Sequence, residues 1–100
     1  MRIRKTSVYK KWIKGLHDSQ ARYRIITRIK RLEEGNPDDC NPIGKGLIEM
    51  RIHYGPGYRI YYKDTGKEII ILLCGGDKST QQADIARAKQ IAAMPLEEEE

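Results

Sequence analysis

The chain has 100 residues, of which 39% are hydrophobic and 33% charged, as expected of one folded domain with an ionised surface. Its 19 Lys and Arg face 14 Asp and Glu; without the terminal run Glu97–Glu100 the acids number 10 and the balance is +9, which favours an anionic partner. The longest apolar run, Ile69–Cys74, is far shorter than the roughly 20 residues of a membrane span, and no apolar stretch follows the basic N-terminus as in a secretory signal.

Cysteine and histidine are scarce. Cys40 and Cys74 are too few for a disulfide framework and form no Cys-x-x-Cys pair. The spacing of His17 and His53 relative to the cysteines matches no metal-ligand pattern, so we expect no metal and no cofactor. We expect one domain over residues 1–94, an acidic tail over residues 95–100, and a cytoplasmic protein with no membrane partner.

The N-terminal part predicts one strand and one helix. Met1–Thr6 alternates apolar and basic residues, as a strand with one solvated face does. Thr6 or Ser7 can cap a helix that ends at Gly15-Leu16.

A second helix follows from about Asp18-Ser19 and stops at Gly35. One stripe of this helix is apolar and another is basic, made respectively of Ala21, Ile25, Ile29 and Leu32 and of Arg24, Arg28 and Arg31. The basic stripe suits either a solvated surface or the backbone of a nucleic acid. Asn36–Gly46 contains two prolines and two glycines and predicts a loop.

From Leu47 the period changes to two and predicts an antiparallel meander of three strands. The hairpin Leu47–Lys63 turns at Gly55-Pro56-Gly57, and Asp64-Thr65-Gly66 predicts a three-residue turn. Ile69–Cys74 is apolar throughout, as in a central strand covered on both faces.

The chain ends in a predicted helix. Gly75-Gly76 should break the central strand, and the pair Ser79 and Gln82 suits a capping box that opens a helix through Ala93, before Pro95. The fold class is therefore α+β: an N-terminal strand and helical hairpin, then a three-strand antiparallel meander and a C-terminal helix.

Strand alternation assigns the hairpin side chains to two faces. Those expected to pack on the helices are Ile48, Met50, Ile52, Tyr58 and Ile60. Those expected on a partly open face are Glu49, Arg51, His53, Arg59, Tyr61 and Lys63, with Lys78 joining from the next loop. Arginine can grip a phosphate with two hydrogen bonds, and tyrosine can stack on an RNA base. An ordinary solvated face has the same composition, so these residues alone indicate only a small basic domain suited to RNA.

Two sequence blocks add a resemblance. Glu49–Tyr62 and Leu72–Ile85 resemble signature segments of the RelE/ParE superfamily of type II toxin–antitoxin toxins, in the addiction module killer protein group close to HigB. The resemblance implies a RelE/ParE-like fold and a ribosome-dependent mRNA endonuclease (an mRNA interferase) that inhibits translation and growth. It also implies cleavage without metal and silencing by a cognate helix-turn-helix antitoxin. The alternatives are a ParE-like inhibitor of DNA gyrase and a non-catalytic RNA-binding module.

The resemblance also assigns residues. It matches the family's Gly-Tyr-Arg arginine to Arg59, a basic residue of the preceding strand to Arg51, and the basic residue after the central strand to Lys78. The C-terminal tyrosine of some relatives has no counterpart, so the proton acceptor stays open among four residues, namely His53, Tyr54, Tyr61 and Lys78. We expect RNA contacts from the arginine stripe and from Tyr54 and Lys63.

Alternation places Arg51 and Arg59 on opposite arms of the hairpin, about 5 Å apart. Two adjacent cations disfavour folding, so the pair predicts that an anion, such as a phosphate, binds between them. As exposed charges, Arg59 and Lys78 should be removable with little change in stability.

Overall fold

A computed structural model describes residues 1–95; of the predicted acidic tail, residues 96–100 lie outside the described residues. The elements in chain order are β1 (Arg2–Lys5), α1 (Ser7–Lys14), α2 (Ser19–Glu33), β2 (Cys40–Gly44), β3 (Leu47–Ile52), β4 (Tyr58–Asp64), β5 (Ile69–Gly76), a single 3-10 turn (Lys78–Thr80) and α3 (Gln81–Ala93).

The predicted signals start and stop the first two helices. The Thr6 side chain accepts the Tyr9 N–H at the start of α1, and the Asp18 side chain accepts the N–H groups of Gln20 and Ala21 at the start of α2. Gly35 follows α2 with φ of +88°, a conformation that favours glycine. Both helices are therefore confirmed.

The sheet has the strand order β1-β5-β4-β3-β2. β3, β4 and β5 form the predicted antiparallel meander, and β1 adds to β5 in parallel. The register pairs Arg51 with Arg59 directly across the hairpin, as alternation predicted.

The fifth strand is a correction to the predicted loop. Cys40, Asn41 and Pro42 pair with β3 at the edge of the sheet. Proline suits such an edge, because its missing N–H can face away from the neighbouring strand. The prolines and glycines of this segment therefore mark an edge strand and its turns.

Three boundaries also differ from their predictions. β4 and β5 are joined by residues 65–68, one residue more than the predicted turn allows. β5 does not break at Gly75 but continues through Gly76. Asp77, and not Ser79, forms the capping box, with Thr80 as its partner, because the chain makes one 3-10 turn before α3 begins.

The prediction that the second face of the sheet stays partly open fails at Glu49 and Tyr61, which are buried. α1 and α2 cover one face of the sheet. The apolar cluster between them and the sheet consists of Tyr9, Ile25, Ile29, Leu32, Met50, Ile52, Ile60, Tyr62, Ile70 and Leu72. α3 covers the other face of the sheet. The apolar cluster there consists of Leu47, Tyr61, Ile71, Leu73, Cys74, Ala88 and Ile91. As a result Tyr61 is 0% exposed and Glu49 is 2% exposed. Over residues 1–95, no helix has the length and apolar character needed to cross a membrane.

Two glycines let the helices approach the end of β5 from opposite sides. A Cβ at Gly75 would lie 2.5 Å from ring carbons of Trp12 in α1, and one at Gly76 would collide with the Asp84 carboxylate in α3. Neither glycine has a positive φ. Space, and not backbone conformation, therefore requires glycine at both positions.

We expect Gly75→Ala to destabilise the protein by about 1–3 kcal/mol, the usual cost of overpacking. In a domain of this size the melting temperature should fall by roughly 4–8 °C per kcal/mol. Gly15→Ala is the matched control, because its Cβ would meet its nearest atom at 3.4 Å. Shortening the indole with Trp12→Leu should recover part of the loss in the double variant. Equal losses from Gly75→Ala with and without the indole, measured by thermal denaturation, would contradict the steric explanation.

Candidate nucleic-acid interface

A buried carboxylate lies at the centre of the site. Oε1 of Glu49 is 3.4 Å from Nε of Arg51 and 3.5 Å from Nη1 of Arg59. Oε2 accepts hydrogen bonds from the Tyr61 hydroxyl at 3.1 Å and from Nε2 of Gln81 at 2.9 Å. Because a buried carboxylate is costly unless it is paired, these four side chains of β3, β4 and α3 are held around it.

The sequence predicted that a bound anion lies between the two arginines, and this arrangement corrects that prediction. Arg51 and Arg59 do lie side by side, but Glu49 of the same chain supplies the negative charge. Two guanidinium groups against one carboxylate leave one positive charge for a ligand. The Arg59 side chain is only 13% exposed, so it is not the dispensable surface charge that the sequence suggested.

Tyr61 is unsuited to accept a proton from a substrate. Burial, and then the neighbouring Glu49 carboxylate, raises the pKa of Tyr61 above its ordinary value. Its hydroxyl proton is donated to Glu49 in the core, out of reach of a ligand.

Lys78 lies beside the hairpin turn. A Cβ at Gly57 would be 3.5 Å from the Lys78 Cβ, and Arg59 pairs across the sheet with Gly76, two residues before Lys78. Lys78 is exposed, in contrast to Arg59. Arg51, Arg59 and Lys78, the hairpin cations, therefore collect at one end of the sheet.

His53 does not share the face that strand alternation assigned to it. β3 ends at Ile52, so the alternation does not extend to His53. Its side chain is 75% exposed, and its Nε2 contacts Oδ2 of Asp39, the residue before β2. The hydrogen bond from His53 lowers the pKa of Asp39, and the charges of Arg51 and Arg28 lower it further.

His53 opens instead onto a groove beside α2. This α2 groove has a volume of about 440 Å³ and is lined by Gln20, Tyr23, Arg24, Thr27, Arg28, Arg31, Ile52 and His53. Arg24 lies over the Tyr54 ring, with its Cζ 4.7 Å from the ring centroid. The Tyr54 hydroxyl donates to Asp18 at 3.1 Å. The pKa of Tyr54 is raised, most strongly by desolvation and secondly by this hydrogen bond.

The three arginines of the predicted basic stripe have different environments. Arg28 is only 12% exposed and donates to the carbonyl oxygens of Arg51, Pro37 and Asp39. Arg28 thus fixes the segment that carries Asp39. The prediction that Arg28 lies on an exposed basic stripe is therefore wrong. Arg31 is 51% exposed, 3.9 Å from Asp38, and Arg24 is also exposed.

Lys63 does not join this site. It pairs with Leu47 at the opposite end of the hairpin, four residues or about 13 Å along β4 from Arg59. There it lines a separate cleft with Arg4, Lys45 and Lys67.

Sequence reasoning missed the carboxylates that hold the side chains of this site in place. Glu49 pairs with both Arg51 and Arg59. Asp39 contacts His53, and Asp18 accepts the hydrogen bond of the Tyr54 hydroxyl. One sequence signal pointed to the burial of Glu49. Ile69–Cys74 was predicted to be a strand covered on both faces, and a layer that covers both faces of this strand also covers the neighbouring strands of the sheet. Within the part of the chain that the structure describes, no group of three or more His, Cys, Asp or Glu residues could hold a metal ion.

Comparison with known proteins identifies the family. A model of the family described as "Phage derived protein Gp49-like (DUF891)" matches residues 11–94. An uncharacterized protein of Haemophilus influenzae is 44% identical over 92 residues, which cover 92% of this chain and 93% of that protein. No solved structure matches the chain significantly.

The family match covers the buried Glu49 cluster, the hairpin cations and the α2 groove. It begins within α1 and ends just beyond α3, so it includes nearly the whole described fold. The chain therefore belongs to the Gp49-like phage-derived protein family, a family of the RelE/Gp49 toxin-like type.

Proposed function

We propose that this protein is the HigB-like toxin of a type II toxin–antitoxin module and that it cleaves mRNA on the ribosome without a metal. The Gp49-like family is associated with the toxins of toxin–antitoxin systems, and a toxin-like family implies a cognate antitoxin. The observation that carries the proposal of cleavage is the exposed His53–Asp39 pair beside Arg51. A helix-turn-helix antitoxin remains our expectation.

His53 is the best of the four proton acceptors that the sequence left open. Asp39 accepts the Nε2–H and leaves Nδ1 for a substrate hydroxyl, as a base oriented by a carboxylate requires. The protons of Tyr54 and Tyr61 are donated to carboxylates, and the pKa of each phenol is raised. Lys78 is better suited to donate a proton, because its ammonium group is exposed.

In the proposed step, the 2′-hydroxyl of the substrate attacks the adjacent phosphorus. His53 takes the hydroxyl proton as the O2′–P bond forms, and the P–O5′ bond breaks. Lys78 protonates the departing 5′ oxygen, and Arg51 and Arg59 offset the charge that develops on the phosphate. The products are a 2′,3′-cyclic phosphate and a 5′-hydroxyl end.

The α2 groove supplies a path for the single-stranded RNA on either side of that phosphate. Arg24 and Arg31 offer exposed cations, and Tyr23, at 70% exposure, offers a face on which a base can stack. Arg28 acts on the RNA only indirectly, by fixing Asp39.

We expect His53→Ala and Lys78→Ala each to slow cleavage of mRNA at least about 100-fold, the usual contribution of a positioned acid or base. Both residues are exposed, so both variants should stay folded, and the melting temperature of Lys78→Ala should change little. Lys89→Ala, which removes an exposed cation of α3, is the matched control. The measurements are mRNA 5′-end mapping after induction in a bacterium, and cleavage of a defined RNA by the purified protein with and without ribosomes.

A single 2′-deoxy substitution at the cleaved position should block cleavage, and EDTA should not. Unchanged cleavage by folded His53→Ala would contradict the assignment of the base. RNA that is bound but never cut would support the non-catalytic module. Growth arrest with intact mRNA and altered DNA supercoiling would support gyrase inhibition.

We also expect His53→Ala to move the pKa of Asp39 up towards its ordinary value of about 3.9, because it removes the hydrogen bond that lowers it. An aspartate with a lowered folded-state pKa stabilises the fold above its unfolded pKa, and this contribution disappears as the pH falls through the folded value. The variant should therefore lose stability relative to wild type near neutral pH but not in strong acid. Side-chain carboxyl NMR titration measures the pKa directly, and an unchanged value would show that the contact with His53 does not form in solution.

A further inference from the structure

A second group of cations lies at the end of the sheet away from the hairpin cations. The cleft beside Lys63 has a volume of about 580 Å³ and is lined by Arg4, Lys45, Gly46, Lys63, Asp64, Thr65, Lys67, Ile69 and Ile71. Arg4 already has an interaction in the structure, so we define the lysine cleft by Lys45, Lys63 and Lys67 alone. Since Lys63 lies about 13 Å along β4 from Arg59, the lysine cleft is separate from the proposed cleavage site.

The three lysines keep their charge available for a ligand. None of their ammonium groups forms an ion pair with another residue of the described range 1–95. Lys45 and Lys67 are exposed, and Lys63 is half-buried. The acid in the lining, Asp64, directly follows Lys63 on β4, so its side chain points to the other face of the sheet, and its carboxylate accepts a backbone N–H of the next turn. The lysine cleft therefore carries net positive charge.

The backbone of Lys45 is strained in a way that the fold does not require. Lys45 and Gly46 join β2 to β3, and their φ angles are +55° and +76°. Two-residue turns of this kind favour asparagine and glycine, because a larger side chain crowds the backbone there. A lysine at such a position weakens the turn, so its presence is better explained by what the ammonium group binds.

The composition of the lysine cleft favours the backbone of a double helix. No aromatic side chain of the described chain lines it, so it lacks the stacking surface that Tyr23 gives the α2 groove for unpaired bases. Its ammonium groups act as point charges, which contact phosphates without reading sequence. The backbone beside it is already paired, since the Asp64 N–H donates to the Gly46 carbonyl. An acidic peptide therefore has no open strand edge to join at this position.

We propose that the lysine cleft binds the phosphate backbone of double-stranded RNA, while the α2 groove and the hairpin cations hold the single strand that is cut. The preferred RNA is then one in which a single strand continues into a duplex. This inference rests on the action on RNA that the proposed function assigns, but not on cleavage.

Three RNAs test this division of the surface: a blunt hairpin, a single strand, and the hairpin extended by that strand. The strand carries 2′-deoxynucleotides, so that it is not cut. Because linked contacts reinforce each other, the extended hairpin should bind the wild type at least about tenfold more tightly than either part. Lys45→Asn/Lys67→Gln should remove this advantage and weaken binding of the blunt hairpin about tenfold, with the single strand unaffected. Fluorescence anisotropy at one salt concentration measures the affinities, and an extended hairpin that binds wild type no better than the single strand would overturn the proposal.

A matched control variant loses the same charge from another surface. Lys11→Gln/Lys14→Gln removes two exposed lysines of α1 and should keep the advantage of the extended hairpin. Lys45→Asn places a favoured residue at a positive φ, so the test variant should stay folded, with a melting temperature no lower than that of the control. Equal loss of hairpin binding in the two double variants would show that only net charge matters and would refute a site at the cleft.

Two further ligands identify the occupant. A DNA hairpin of the same sequence should bind no more tightly than the RNA hairpin, and tighter binding of DNA would assign the cleft to DNA instead. A glutamate peptide should compete at least about tenfold more weakly than the hairpin, whose charges are more closely spaced. Equal competition would identify an acidic protein segment as the occupant.

The His53→Ala variant separates this site from the nuclease. It should bind all three RNAs as the wild type does, because His53 does not line the lysine cleft. RNA affinities as expected, together with no cleavage by the wild type, would refute the nuclease and leave this site intact. Wild-type cleavage together with unchanged hairpin binding by Lys45→Asn/Lys67→Gln would refute this site alone.

Discussion

The buried carboxylate of Glu49 is the interaction on which the arrangement of the site depends. It binds groups from β3, β4 and α3 at once, through Arg51, Arg59, Tyr61 and Gln81. A carboxylate removed from water in this way is destabilising by several kcal/mol unless its partners are held in place. The same contacts that satisfy Glu49 therefore fix two guanidinium groups next to the hairpin turn, where a flexible pair of arginines would otherwise repel each other.

Close packing at one end of β5 brings the remaining groups to that end. Gly75 admits the Trp12 indole from α1, and Gly76 admits Asp84 from α3, so both helices touch the strand where it approaches Lys78. The hairpin turn lies on the same side of the molecule, since Gly57 is next to Lys78. In our proposal, RNA cleavage takes place at this closely packed end of the sheet.

Local sequence signals determined much of the fold. Thr6, Asp18 and Gly35 act through capping and backbone conformation, which depend on neighbouring residues only, and their predictions are confirmed. The alternation of Leu47–Lys63 likewise predicted the cross-strand pairing of Arg51 with Arg59. β2 was missed because Pro42 is typical of loops, whereas on an edge strand it is tolerated for a reason that only the sheet order reveals.

The environment of the site could not be predicted in the same way, because it depends on tertiary contacts. α3 buries two side chains, Ala88 and Ile91, too few for a clear amphipathic pattern, and so its cover over Tyr61 and Glu49 was not foreseen. The contact between His53 and Asp39 joins residues 14 positions apart through the unpredicted start of β2. Alternation also assigned Lys63 to the right face but gave no warning that it lies at the far end of the strand.

A double-mutant cycle between Glu49 and Arg59 tests the central claim most directly. Glu49→Gln and Arg59→Gln would be combined, and the free energy of unfolding of all four proteins measured by urea denaturation. If the buried carboxylate and the guanidinium stabilise each other, Arg59→Gln should be costly beside Glu49 and much less costly beside the glutamine, with a coupling energy of about 1–3 kcal/mol. An identical cost in both backgrounds would show that Glu49 does not hold Arg59 in place and would contradict this account of the site.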